Sequence, residues 1–124
     1  MNRIVCNAID FVFRDEIDRM NPGEDPVLKS GKNWKKINST EKPIYQLSIK
    51  QNDAGPTNEE TVSTKARRNN LMELLRDYWG FHTVLRMSTD EKIFYVGSLE
   101  YPCTLEYTSD KVFDNYSFKA VSPA

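Results

Sequence analysis

The chain has 124 residues, a formal net charge of −1, 39% hydrophobic and 28% charged residues, and six Phe, six Tyr and two Trp. That length supports a single domain over 1–124, and the composition is that of a soluble globular chain and not a disordered one. The near-neutral charge gives no field able to hold a polyanion unaided, so nucleic acid is not an expected partner, and no stretch approaches the ~20 apolar residues of a membrane-spanning helix.

In chain order, Ile4 to Phe13 reads as a first strand, with Ile4, Val5, Cys6, Ile9, Phe11, Val12 and Phe13 β-prone and mostly apolar. Asn7 and Asp10 interrupt the apolar run too early for a secretory leader, and synthesis and folding in a reducing cytoplasm are expected. From about 14 to 42 the pattern collapses into a long irregular connection. Asn21 to Pro26 and Lys29 to Asn33 are turn chemistry, and only Val27, Leu28, Trp34 and Ile37 offer apolar anchors. A connection of that length is expected to order on a partner, where contact offsets its entropy. Tyr45, Leu47 and Ile49 then alternate with Gln46, Ser48 and Lys50 as a half-buried strand.

A helix is expected next, over about 61–79. Ser63 or Thr64 would cap it, Ala66, Leu71, Leu74, Leu75, Tyr78 and Trp79 form one apolar stripe, and Gly80 suits its end. From Phe81 to Val121 the chain is a run of strands. Thr83 to Met87 and Ile93 to Ser98 flank a polar turn, Cys103, Leu105 and Tyr107 alternate after Pro102, and Tyr116, Phe118 and Ala120 share one face of the last strand. This order predicts an α+β fold: a mainly antiparallel β-sheet or small β-sandwich with one amphipathic helix (about 61–79) packed on it.

Residues that carry chemistry are sparse. His82 is the single histidine, too few for a His-rich metal site. Cys6 and Cys103 form no C-x-x-C pair and read as buried thiols; a disulfide between them requires neighbouring strands. Asp10, Asp15, Glu16 and Asp18 are dense, but no second cluster with matching spacing supports a metal-dependent hydrolase on Asp10, Asp15 and Asp18, and Arg14 and Arg19 interleave with them. With five glycines and no phosphate cradle, no cofactor, small-molecule substrate or enzymatic activity is expected. The candidate contact residues are Trp34, Lys35 and Lys36 in the connection, Arg67 and Arg68 at the helix start, and Tyr95, Tyr101 and Tyr107 in the strand block.

Leu71-Met72-Glu73-Leu74-Leu75 through Trp79-Gly80, then Val84-Leu85-Arg86-Met87, Phe94-Tyr95-Val96-Gly97-Ser98-Leu99 and Tyr116-Ser117-Phe118-Lys119-Ala120, are laid out in a way that resembles small structural proteins of tailed bacteriophages. The resemblance covers Thr61 to Ala124 and lies in layout, not in an invariant motif. It implies a non-enzymatic tail, baseplate or connector subunit whose partners are copies of itself and other structural proteins, and a place in the virion. A second reading is a small module binding an acidic peptide or nucleic acid through Lys35, Lys36, Arg67 and Arg68.

Overall fold

The computed structural model describes residues 2–21, 24–51, 53–67 and 82–124. Its longest strands are β7 (Thr57–Arg67) and β11 (Phe113–Pro123), which pair antiparallel in unbroken register from Thr57↔Pro123 to Phe113↔Arg67. Around them β6 (Ile44–Lys50), β1 (Asn2–Val5) and β10 (Thr104–Ser109) complete a five-stranded sheet in the order β1-β6-β7-β11-β10. A second sheet has four strands in the order β5-β2-β8-β9, formed by β2 (Ala8–Phe13), β5 (Lys35–Ile37), β8 (Thr83–Ser88) and β9 (Ile93–Val96). The short strands β3 (Ile17–Arg19) and β4 (Val27–Leu28) pair with each other. Among the described residues every strand pair is antiparallel.

The two larger sheets stack as a sandwich because each has one apolar face. Ile9, Phe11 and Phe13 of β2, Leu85 and Met87 of β8, Val96 of β9 and Ile37 of β5 face Tyr45 of β6, Val62 and Ala66 of β7, Leu105 of β10, and Tyr116, Phe118 and Ala120 of β11 in one buried cluster. Tyr45 and Phe94 meet edge-on at 5.0 Å between ring centroids, and Phe11 and Phe13 at 5.6 Å, geometries that suit the aromatic quadrupole. Asp114 is completely buried at the end of β11 and accepts hydrogen bonds from the Tyr116 hydroxyl at 2.8 Å and from the Ser109 hydroxyl.

The α+β expectation is overturned. Among the described residues there is no α-helix, only a single 3-10 turn at Arg14–Glu16. Thr61 to Arg67, expected as the start of the helix of about 61–79, belongs to β7; residues 68–79, with the rest of the expected stripe, lie outside the described residues. Thr57, Thr61, Val62 and Thr64 are β-branched and stiff at χ1, which favours a pleated strand. From Val62 onward the burial alternates: Val62, Thr64 and Ala66 are buried, Ser63 and Arg67 are exposed, and Lys65 is half-buried. Thr64, expected as a cap, instead shares a 2.6 Å hydrogen bond with the Ser39 hydroxyl.

The first strand is also divided. At Cys6–Asn7 the chain crosses from one sheet to the other, with the Cys6 amide donating to the Pro43 carbonyl at 2.8 Å and the Asn7 amide to the Ser88 carbonyl at 2.7 Å. A second crossing leads from β9 to β10. There Gly97 has φ +87°, and the Thr83 and Cys103 backbones exchange hydrogen bonds of 3.1 and 2.8 Å. Cys6 and Cys103 are fully buried free thiols, and burial pushes both above the ordinary thiol range.

A Cβ on Gly97 would stand 3.0 Å from the Cys103 sulfur and 3.2 Å from its backbone nitrogen, whereas one on Gly31 (φ +79°) would meet nothing within 4 Å. Gly31→Ala is therefore expected to cost about 1 kcal/mol for its left-handed backbone alone, and Gly97→Ala roughly 2 kcal/mol or more because backbone must also move. Urea denaturation midpoints of the two variants check the order.

Candidate functional site

The two outer faces of the sandwich differ in kind. On the four-stranded sheet, Val12 and Val84 point outward but are fully buried, because Ile17, Met20, Leu28, Trp34 and Leu99 pack over them in a second apolar cluster. Of the connection over about 14–42, expected as irregular and ordered on a partner, β5 joins the four-stranded sheet and the part before it, with Ile17, Met20, Leu28 and Trp34, lies as a strap over that sheet. Glu16 anchors it. Its carboxylate accepts from the Lys35 ammonium at 2.7 and 2.9 Å, and its Oε1 from the Phe13 amide at 2.9 Å.

Beside the strap, Asp10, Arg86, Trp34, Tyr95 and Asp25 form one layer. The Arg86 guanidinium pairs with Asp10 at 3.1 Å and lies 4.7 Å from the centre of the Trp34 ring. Trp34 and Tyr95 rings are 6.0 Å apart, and the Tyr95 hydroxyl donates to Asp25. Burial, with the Asp25 carboxylate next, pushes the Tyr95 phenol up to about 12, while Arg86 pulls the other way. Asp10 is therefore an ion-pair partner. Among the described residues no group of three or more His, Cys, Asp or Glu side chains is gathered for a metal ion.

On the five-stranded sheet nothing among the described residues covers the outer face. Successive rows cross it through the register: Ile44, Ser63, Ser117 and Glu106 in one, and Lys65, Asn115 and Thr108 in the next. With Glu41 and Lys42 at its border this face forms an open cleft of about 690 Å³. At one end of the face Lys65 and Arg67 flank Phe113, at 4.7 and 5.8 Å from the ring centre. At the other, Glu59 sits between Lys50 at 3.1 Å and Lys119 at 3.3 Å, and the hydrogen bond from Lys50, with help from Lys119, holds its carboxyl below the ordinary value.

The sequence candidates are dispersed over this architecture. Trp34, Lys35, Lys36 and Tyr95 belong to the four-stranded sheet or its edge, Arg67 and Tyr107 to the five-stranded sheet, and Tyr101 to the turn between them. Arg68 lies outside the described residues. Lys35 is engaged by Glu16, Lys36 is exposed opposite Asp10, and Tyr101 is exposed. Tyr107 is half-buried against the main core, 6.1 Å from Tyr116. His82 is exposed, its carbonyl accepting the Arg14 amide at 2.8 Å. Ser63, Glu106, Asn115 and Ser117, which pave the open face beside Lys65, were not candidates; alternation marks Ser63 on β7 and Asn115 and Ser117 on β11, and only the register brings Glu106 of β10 beside them.

No protein-family model, curated protein or solved structure matches this chain. Among the described residues no helix is long and apolar enough to cross a membrane.

Two pH effects follow. The depressed Glu59 carboxyl contributes stability that is present above the ordinary value of 4.5 and lost as pH falls through its folded value. Acid denaturation of Glu59→Gln should accordingly be less steep below that pH than in the parent. The raised Tyr95 phenol contributes stability that is complete below the ordinary value of 10.0 and lost as pH rises toward about 12. An ultraviolet phenolate titration of Tyr95→Phe should lack one late-titrating tyrosine.

Proposed function

We propose that this protein works by contact and not by catalysis, as a subunit of a larger symmetric assembly of the bacteriophage tail, baseplate or connector kind. The observation that carries the contact reading is the asymmetry of the two outer faces. One is roofed by the chain's own strap, while the other presents an open surface of mixed polar and apolar character across β6, β7, β11 and β10, with Lys65 and Glu106 on different strands of the same cleft. A rigid sheet face of mixed charge and hydroxyls can meet another protein surface with directional hydrogen bonds, and such polar contacts set orientation and partner choice.

The phage reading itself rests on the layout of the strand block that follows Thr83. The part of the resemblance that depended on a helix beginning near Thr61 no longer supports it, because that segment is β7. The rival module with a basic patch draws less support: Lys35 is neutralised by Glu16, and Lys36 and Arg67 belong to different sheets.

Sedimentation measured over a wide concentration range, alone and with the products of neighbouring genes, tests the proposal. Reversible association is expected, and a monomer under every condition overturns it. Lys65→Glu or Glu106→Lys should each weaken that association by about tenfold, since one sign of a complementary pair is reversed. Association that ignores both substitutions would move the contact to another face.

A further inference from the structure

The strap is attached to the sandwich in an unusual way. It leaves at the end of β2 and returns at the start of β5, and these strands are neighbours, with Phe11 opposite Lys35. Among the described residues, β3 and β4 join no sheet but their own, and the Lys29 amide donates to the Glu16 carbonyl at 2.8 Å within the strap. Its apolar residues Ile17, Met20 and Leu28 belong to a cluster that shares no member with the main inter-sheet core. Its apolar contact with the sandwich is one small patch, Ile17, Met20 and Leu28 against Val12 and Val84, and among the described residues its polar ties are few: Glu16 to Lys35 and to the Phe13 amide, Arg14 to the His82 carbonyl, and Asp25 to Tyr95.

From this arrangement we infer that the strap elements β3 and β4 open as one unit while the sandwich stays folded, with the Glu16–Lys35 ion pair as the latch. Opening breaks no ladder bond of either large sheet. The backbone has places to bend on both sides, at the 3-10 turn Arg14–Glu16 and at the turn around Gly31, where the Lys32 amide donates to Lys29 at 3.0 Å. Trp34 stays behind under Arg86, and the outward side chains Val12 and Val84 become accessible. The latch is suited to control because it is largely desolvated: the Lys35 and Glu16 side chains are 25% and 11% exposed, and the ammonium also lies 5.4 Å from the Phe13 ring centre. Removing one charge leaves the other without a partner in a poorly solvated place, which costs more than a surface pair would. A segment whose apolar contacts stand apart from the main core and whose polar ties to the rest are few is the structural form of a subglobal opening unit.

Native-state amide exchange tests this. In the unaltered protein the Ile17 and Lys29 amides should exchange with a common opening free energy well below that of the β8 and β11 amides. Glu16→Gln should speed the strap amides by roughly a hundredfold and leave those of β8 and β11 unchanged. Tyr95→Phe, a milder change, should act in the same direction by a smaller factor. Strap amides that exchange only with global unfolding, or variants that accelerate all amides alike, would overturn the inference. The profile of the unaltered protein decides the matter even if Glu16→Gln does not fold.

Discussion

The pairing of β7 with β11 is the constraint on which the other elements depend. It fixes eleven residues of each strand against each other, from Thr57 with Pro123 to Arg67 with Phe113, and it lies in the middle of the five-stranded sheet. Because side chains alternate, this one register decides that Val62, Thr64 and Ala66 join Tyr116, Phe118 and Ala120 on the inner face. The same register sends Ser63, Lys65, Ser117 and Asn115 outward together. A slip of one residue would exchange an apolar face for a polar one, so the core and the proposed contact surface are consequences of the same alignment.

The second sheet solves a different problem. Its central strands carry apolar residues on both faces, Ile9 and Phe11 inward and Val12 outward on β2, Leu85 inward and Val84 outward on β8. A sheet of that kind needs two covers. The five-stranded sheet supplies one, and the strap supplies the other with Ile17, Met20, Leu28 and Trp34. The entropy of ordering a long connection is offset within the chain itself by that burial, aided by the Glu16 anchor.

The legible parts of the sequence were those where one periodicity runs long enough to be counted. Tyr116, Phe118 and Ala120 against Ser117, Lys119 and Val121 is such a case, and burial follows that alternation. Two kinds of segment defeat this reading. Thr57–Arg67 has a strand alternation in which one inner position is the hydroxyl-bearing Thr64, so its polar residues suggested caps and its Ala66 suggested a helical stripe. The strap has strands of two and three residues, too short for any period, and its apolar residues are collected by tertiary packing from several turns. The open face was illegible for a related reason: Ser63, Ser117 and Glu106 come from three strands, and only the register places them in one row.

The two crossings between sheets, at Cys6–Asn7 and near Gly97, bear on how the molecule is made. Because of them neither sheet is drawn from a continuous stretch of sequence: β1 must find β6, β2 must find β8, and β7 must wait for β11. A chain emerging from the ribosome therefore carries Val62 and Ala66 on a long strand with one unpaired edge until β11 is released. Distant partners of this sort slow folding and prolong the exposure of pairing edges. The five-stranded sheet thus forms only once β11 is available, and a nascent chain stalled before Phe113 would be a species for chaperones to hold, not a smaller version of the folded domain.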